Sequence, residues 1–148
     1  MQTTDNPVFI DTNILIYANL ALSPFHSQAT ERLQAMEEQE IELWISRQTL
    51  REYLAAMTRR GDLTGEIPVS SLVKDVQYFS NRFQLAEDNF QVTERLLTLM
   101  EEITIGGKQV HDANIVATML VYGIRQLLTH NTGDFARFSE LITVLPLQ

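Results

Sequence analysis

Four acidic residues carry the question of what this chain does. Asp11 directly follows the apolar run Val8, Phe9, Ile10, which reads as a buried strand. Ligands of open α/β sheets bind at the carboxyl ends of the strands, so Asp11 would stand at the lip of that crevice. The plain alternative is that it caps the helix that follows. Asp112 falls with Ile115, Val116 and Met119 at i, i+3, i+4 and i+7, in the middle of the stripe that a helix buries. A lone buried carboxylate is costly, so Asp112 needs a partner, a polar cleft or the favourable field of its helix N-terminus. Glu52 lies off the apolar stripe of its helix, where periodicity reads a surface residue. Asp134 sits among the turn formers Asn131 and Gly133, and alone it only shapes a turn. All four nevertheless fall near carboxyl ends of strands or the helix ends that face them. Two carboxylates about 5 Å apart repel by roughly 3 kcal/mol at an effective dielectric near 20. A converging set therefore makes structural sense around a cation, and the chemistry it suits is phosphoryl transfer.

The elements that must position these acids follow from periodicity. Ser23-Pro24 reads as a helix start, and Phe25, Ala29, Leu33 and Met36 then repeat at helical spacing. Residues 41–46 alternate as a second strand, with Ser46 placed to cap the next helix. That helix carries Leu50, Tyr53, Leu54 and Met57 on one side. Residues 61–68 are rich in turn formers and break the chain between helices. Leu72, Val76, Phe79 and Phe83 mark a further helix, and Asn89 opens another through Val92, Leu96, Leu99 and Ile103. Ile103 and Ile105 suggest a short third strand before Gly106-Gly107. After the helix bearing Asp112, closed by Gly123, residues 126–129 and 142–145 give the last two strands. The order β-α-β-α-α-α-β-α-β-α-β implies a three-layer α/β/α fold around a parallel sheet of about five strands.

The totals set bounds on function. A chain of 148 residues with 45% hydrophobic and 20% charged residues suits one domain, residues 1–148, with a proper core. No cysteine is present, which excludes disulfides, thiolate zinc sites and thiol nucleophiles. Three scattered histidines give no histidine metal motif. The sequence shows neither a signal-like start nor a membrane-length apolar run, so a cytoplasmic protein without membrane contact is expected. A net charge of −8 argues against a broad basic surface for nucleic acid. It leaves open an acidic nuclease site neutralised by metal ions.

FIDTNILIYA, the glutamate within SRQTLREYLAA, HDANIVATML and LLTHNTGDF follow one another as in PIN-domain ribonucleases. The chain resembles the toxin subunit of bacterial VapBC toxin–antitoxin pairs from about residue 8 to its C-terminus. This resemblance implies a PIN-like fold and endonucleolytic cutting of RNA dependent on Mg2+ or Mn2+. It implies metal-coordinating and catalytic roles for Asp11, Glu52, Asp112 and Asp134, with Asn13, Thr129 and Asn131 supporting the site or touching substrate. A small antitoxin protein and a homodimer are the partners it implies. For Glu52 the resemblance reverses the periodicity reading, since off the core stripe can mean facing a cleft. The segment from Gly61 to Asp88 matches none of these motifs.

Three readings from other classes compete. A phospho-acceptor signalling domain using Asp11 would carry a lysine near the end of a late strand, yet residues 126–148 hold no lysine and Arg137 is their one basic residue. An aspartyl phosphatase would carry a second aspartate two residues after the first, where Asn13 stands. A catalytically inactive PIN-like binding module differs from the nuclease only by assay.

Overall fold

The computed structural model of the chain describes residues 6–59 and 67–148. Most of the turn expected over 61–68, residues 61–66, lies outside them. β1 (Val8–Ile10) leads into α1 (Thr12–Asn19) and α2 (His26–Glu38), and β2 (Leu43–Ser46) into α3 (Arg47–Arg59). Next come α4 (Val69–Arg82), β3 (Gln84–Ala86), α5 (Phe90–Glu102), α6 (Gln109–Val121) and β4 (Gln126–Thr129). A 3-10 helix, Thr132–Phe138, then connects to β5 (Thr143–Pro146).

The strands pair in the order β3-β2-β1-β4-β5, and every pairing is parallel. All five carboxyl ends therefore lie along one edge of the sheet. The chain builds outward from β1 in one direction through β2 and β3, then returns to the other flank with β4 and β5. β1 and β4 thus frame the place where strand order reverses, the usual position of a ligand crevice.

Alternation along the strands splits the core into two layers. Val8 and Ile10, Leu43 and Ile45, and Leu128 face one way, onto α1 to α4 through Ile14, Leu33, Tyr53 and Phe79. Phe9 and Leu127 face the other way, onto α5, α6 and the 3-10 helix through Leu99, Val116 and Phe135. β1 is buried on both faces, which is why its sequence is a continuous apolar run. The helix ends follow local chemistry. Ser46 Oγ accepts the Thr49 N–H at 3.3 Å, and Asn89 caps α5 by accepting the Val92 N–H at 3.2 Å. Gly123 leaves α6 with φ +73°, a left-handed turn that glycine takes without strain.

Four expectations change. The third strand is Gln84–Ala86, not residues 103–105. Ile103 is the C-cap of α5, and Ile103 and Ile105 are apolar because they pack on the second layer of the core. The true strand has three residues with one exposed side chain, too short to show alternation, and the helical stripe before it runs on through Phe83. Two helices rather than one separate β1 from β2. α2 begins at His26 rather than at Pro24, because the Ser23 hydroxyl accepts the Phe25 N–H in a turn before the helix. The turn read at Asn131 to Asp134 winds into the 3-10 helix. Among the described residues no helix is long and apolar enough to cross a membrane.

Candidate active site

Asp11 ends β1 and is the N-cap of α1. Its Oδ1 accepts the Thr12 N–H at 2.8 Å, so the capping role is real. Its Oδ2 accepts the Thr129 hydroxyl at 2.8 Å and the Asn13 amide at 3.3 Å. Thr129 lies at the end of β4, so this bond spans the frame between the two central strands. Asn13 closes the arrangement, donating to Thr129 Oγ1 at 3.2 Å and accepting the His130 N–H at 3.1 Å. The Asn131 N–H also reaches Thr129 Oγ1, at 3.0 Å. Only 7% of Asp11 is exposed. Burial pushes its carboxyl up to about 6, with Glu52 and Asp134 adding to the rise; the bonds from Thr129 and Thr12 pull the other way.

Glu52 comes from the second turn of α3 and is half-buried, facing the same cleft. The Thr12 hydroxyl donates to its Oε1 and the Gln48 amide to its Oε2, each at 2.9 Å. Asp112 stands in the first turn of α6, also half-buried, and its carboxylate makes no hydrogen bond among the described residues. Burial raises it to about 6, and Asp134, Asp11 and Glu52 reinforce the rise while His111 opposes it. Asp134 lies exposed in the first turn of the 3-10 helix.

One open cleft of about 310 Å³ is lined by Asp11, Glu52, Asp112 and Asp134 together with Thr12, Asn13, Asn131 and Arg59. The fold thus gathers six of the seven residues singled out from sequence into its wall. Thr129, fully buried, sits behind Asp11 and holds it. Sequence reading passed over Thr12, Gln48 and Arg59. Gln48 precedes Glu52 by four residues and Arg59 follows it by seven, helical neighbours on Glu52's own face. That spacing was the available signal.

The donor set fits a hard divalent cation. Every acid in the cleft offers carboxylate oxygen, and no thiolate or imidazole lines it, which suits Mg2+ or Mn2+. Mutual repulsion of the acids, felt by both Asp11 and Asp112, is a cost that a cation would offset. Among the described residues no three acidic, histidine or cysteine side chains are drawn tightly enough to hold an ion by themselves. Mg2+ commonly takes one or two carboxylates and completes its octahedron with water.

The family model of the PIN domain matches residues 8–141. Among curated protein sequences none matches the chain. Several solved structures share the fold. The DNA-bound VapBC of Salmonella typhimurium superposes with TM-score 0.69 at 18% identity, over 97% of this chain and 99% of that one. A toxin–antitoxin complex from Klebsiella pneumoniae gives TM-score 0.63 at 23% identity, over 95% and 98%. VapC20 of Mycobacterium tuberculosis, a sarcin-ricin loop cleaving toxin, gives TM-score 0.62 at 19% identity, over 81% and 86%.

Proposed function

Since the chain belongs to the PIN domain family, we propose that it is a divalent-metal-dependent endoribonuclease, the toxin of a toxin–antitoxin pair. The observation that carries this reading is the convergence of Asp11, Glu52, Asp112 and Asp134 on one cleft, each from a different segment of the chain. Hydrolysis of a phosphodiester needs a water poised as nucleophile and relief of the charge that develops on phosphorus oxygens. A bound Mg2+ or Mn2+ supplies both.

The protein's part is placement. Asp11 is the fixed ligand, since three donors from Thr12, Asn13 and Thr129 leave its carboxylate one orientation. Glu52 is fixed likewise by Thr12 and Gln48. Asp112, whose oxygens have no hydrogen-bond partner among the described residues, keeps its lone pairs free for the ion. Asp134 and Asn131 stand exposed at the cleft, where they can hold water or a substrate hydroxyl. Arg59 brings positive charge to a wall whose other described residues are acids and neutral groups, suited to a phosphate beside the one that is cut.

An antitoxin partner and a homodimer belong to the same reading, supported by the toxin–antitoxin complexes that share this fold. Such an inhibitor would place an arginine or lysine against the acids, arginine meeting a carboxylate with two parallel bonds. Large exposed apolar side chains such as Val69, Phe90 and Leu97 are available for partner contacts. The deciding experiment incubates the purified chain with a panel of structured RNAs, with Mn2+ and with EDTA. Cleavage confined to the metal-containing reactions supports the proposal; no cleavage of any RNA with Mg2+ or Mn2+ would overturn the enzymatic reading.

A further inference from the structure

Glu52 and Asp112 stand on helices that pack against opposite faces of the sheet, α3 in one layer and α6 in the other. Like charges facing one cleft push these helices apart. Yet acids that serve one cation must keep a fixed separation, because coordination distances tolerate only a few tenths of an ångström. Something must tie the two layers together at this edge.

Gln48 does so. It is 6% exposed, and its Nε2 donates both to Glu52 Oε2 at 2.9 Å and to the His111 carbonyl at 2.8 Å. Its Oε1 accepts the Asn114 side-chain amide at 2.8 Å. His111 and Asn114 flank Asp112 in the first turns of α6. Among the described residues no other hydrogen bond joins α3 to α6. The orientation of the Gln48 amide follows from its partners: turned over, its oxygen would face two acceptors and its nitrogen a donor. A lysine could donate to Glu52 and the His111 carbonyl but could not accept from Asn114, and its charge would compete with a cation for Glu52. The neutral amide leaves the negative charge of the cleft intact.

Building on the metal-dependent reading above, we propose that Gln48 is a positioning residue. It locks the Glu52 carboxylate to the first turn of α6, so that Glu52 and Asp112 serve one divalent ion. Groups that orient metal ligands from behind commonly change metal affinity 10–100-fold when removed.

The test uses the full chain and two variants, Gln48→Leu and Asn114→Ala, with Mn2+ as probe. Isothermal titration calorimetry gives the Mn2+ Kd, and RNA cleavage is followed as Mn2+ rises. Gln48→Leu should weaken Mn2+ binding by roughly 10–100-fold. Its cleavage should half-saturate at correspondingly higher Mn2+ and return toward the wild-type rate at saturation. Asn114→Ala leaves Gln48 in place but removes the donor to its Oε1, loosening its tie to α6, so it should shift both readouts the same way by less. It also carries the test if Gln48→Leu does not fold. A Kd equal to wild type in the folded variants overturns the proposal, as does a rate loss that added Mn2+ does not restore. Wild type that cleaves RNA without binding Mn2+ would refute the metal-dependent reading and this role with it; wild type that binds Mn2+ beside unchanged variants refutes the role of Gln48 alone.

Discussion

Replacing Asp112 by asparagine should make the metal-free protein more stable, and the structure sets the size of the effect. The Asp112 carboxyl is raised from 3.8 to about 6, by burial first and then by Asp134, Asp11 and Glu52. A rise of about two units corresponds to roughly 3 kcal/mol of differential free energy at 1.36 kcal/mol per unit. Asp112 is only half-buried, so solvent screening takes about half of that and leaves about 1.5 kcal/mol. The carboxylate makes no hydrogen bond among the described residues and the amide is nearly isosteric, so only the favourable field of the helix N-terminus, about 0.3–1 kcal/mol, works against the gain. At about 2–4 °C per kcal/mol for a domain of this size, Asp112→Asn should melt up to roughly 6 °C above wild type in EDTA at pH 7.5.

The pH dependence gives the mechanism away. A folded-state pKa above the unfolded value means the native protein holds its proton longer. The stability is therefore fully present below about pH 4 and is lost as pH rises through about 6. Wild type and Asp112→Asn should melt together near pH 4 and separate progressively up to pH 7. Saturating Mn2+ should then reverse the order, because a ligand at a hundred times its Kd stabilises the folded form by about 2.7 kcal/mol. Thermal melts of the two proteins across pH, in EDTA and in Mn2+, make the measurement. An aspartate that merely favours its helix N-terminus predicts the opposite, a mutant at or below wild type in EDTA at every pH. That result would refute the reasoning.

Asp11→Asn and Asp112→Asn should each abolish RNA cleavage, Glu52→Gln should be nearly as severe, and Asp134→Asn milder; steady-state rates on one RNA rank them, and full activity in Glu52→Gln would return Glu52 to the surface. Asp11→Asn should gain less stability in EDTA than its burial alone implies. An amide nitrogen at the Oδ2 position would meet the Asn13 donor, a mismatch costing about 1–3 kcal/mol, so a melt far above that of Asp112→Asn would contradict the bond pattern. Thr129→Val deletes the hydroxyl that donates to Asp11 at 2.8 Å and should destabilise the protein at pH 7.5 by about 1.5–3 kcal/mol, the range for bonds to charged groups; urea unfolding reads it directly. Arg59→Gln, in an Asp11→Asn background that binds RNA without cutting it, should lower the slope of log K against log salt by about 0.7 for the one phosphate lost; an unchanged slope would remove Arg59 from the RNA path.

How far the sequence carried depended on the length scale of each signal. Helices with stripes such as Leu50, Tyr53 and Met57 announce themselves because 3.6-residue periodicity accumulates over many positions. β1 was equally plain, since a strand buried on both faces shows a solid apolar run. β3 was not, because Gln84, Leu85 and Ala86 are too few to establish any period and follow directly on a helix. The acids behaved differently again. Asp11 and Asp112 stood out by position, one at a strand end and one in a buried stripe. Glu52 looked like a surface residue because helical periodicity reports only whether a side chain faces the core. It cannot separate solvent from a cleft bounded by another chain segment, and here that boundary is made by Thr12, 40 residues away.

Each acid is also locally harmless, which explains both the difficulty of reading it and the ease of folding around it. Asp11 caps α1, Asp112 sits favourably in a helical first turn, Asp134 helps a turn, and Glu52 occupies the open side of α3. In the unfolded chain successive members of this set are 22 to 60 positions apart and interact little. Their repulsion appears only when β4 seats beside β1 and α6 closes over the sheet edge, so the cost is carried by the finished site and not by its parts. The neutral groups that gather there respond to that late cost. Thr12, Asn13, Thr129 and Gln48 donate to carboxylates while adding no charge that would oppose a cation. A salt bridge inside the cleft would have stabilised the metal-free fold better, at the expense of the site. The described ion pairs, Arg47 with Glu87, Arg51 with Asp88 and Arg82 with Glu37, all lie away from it.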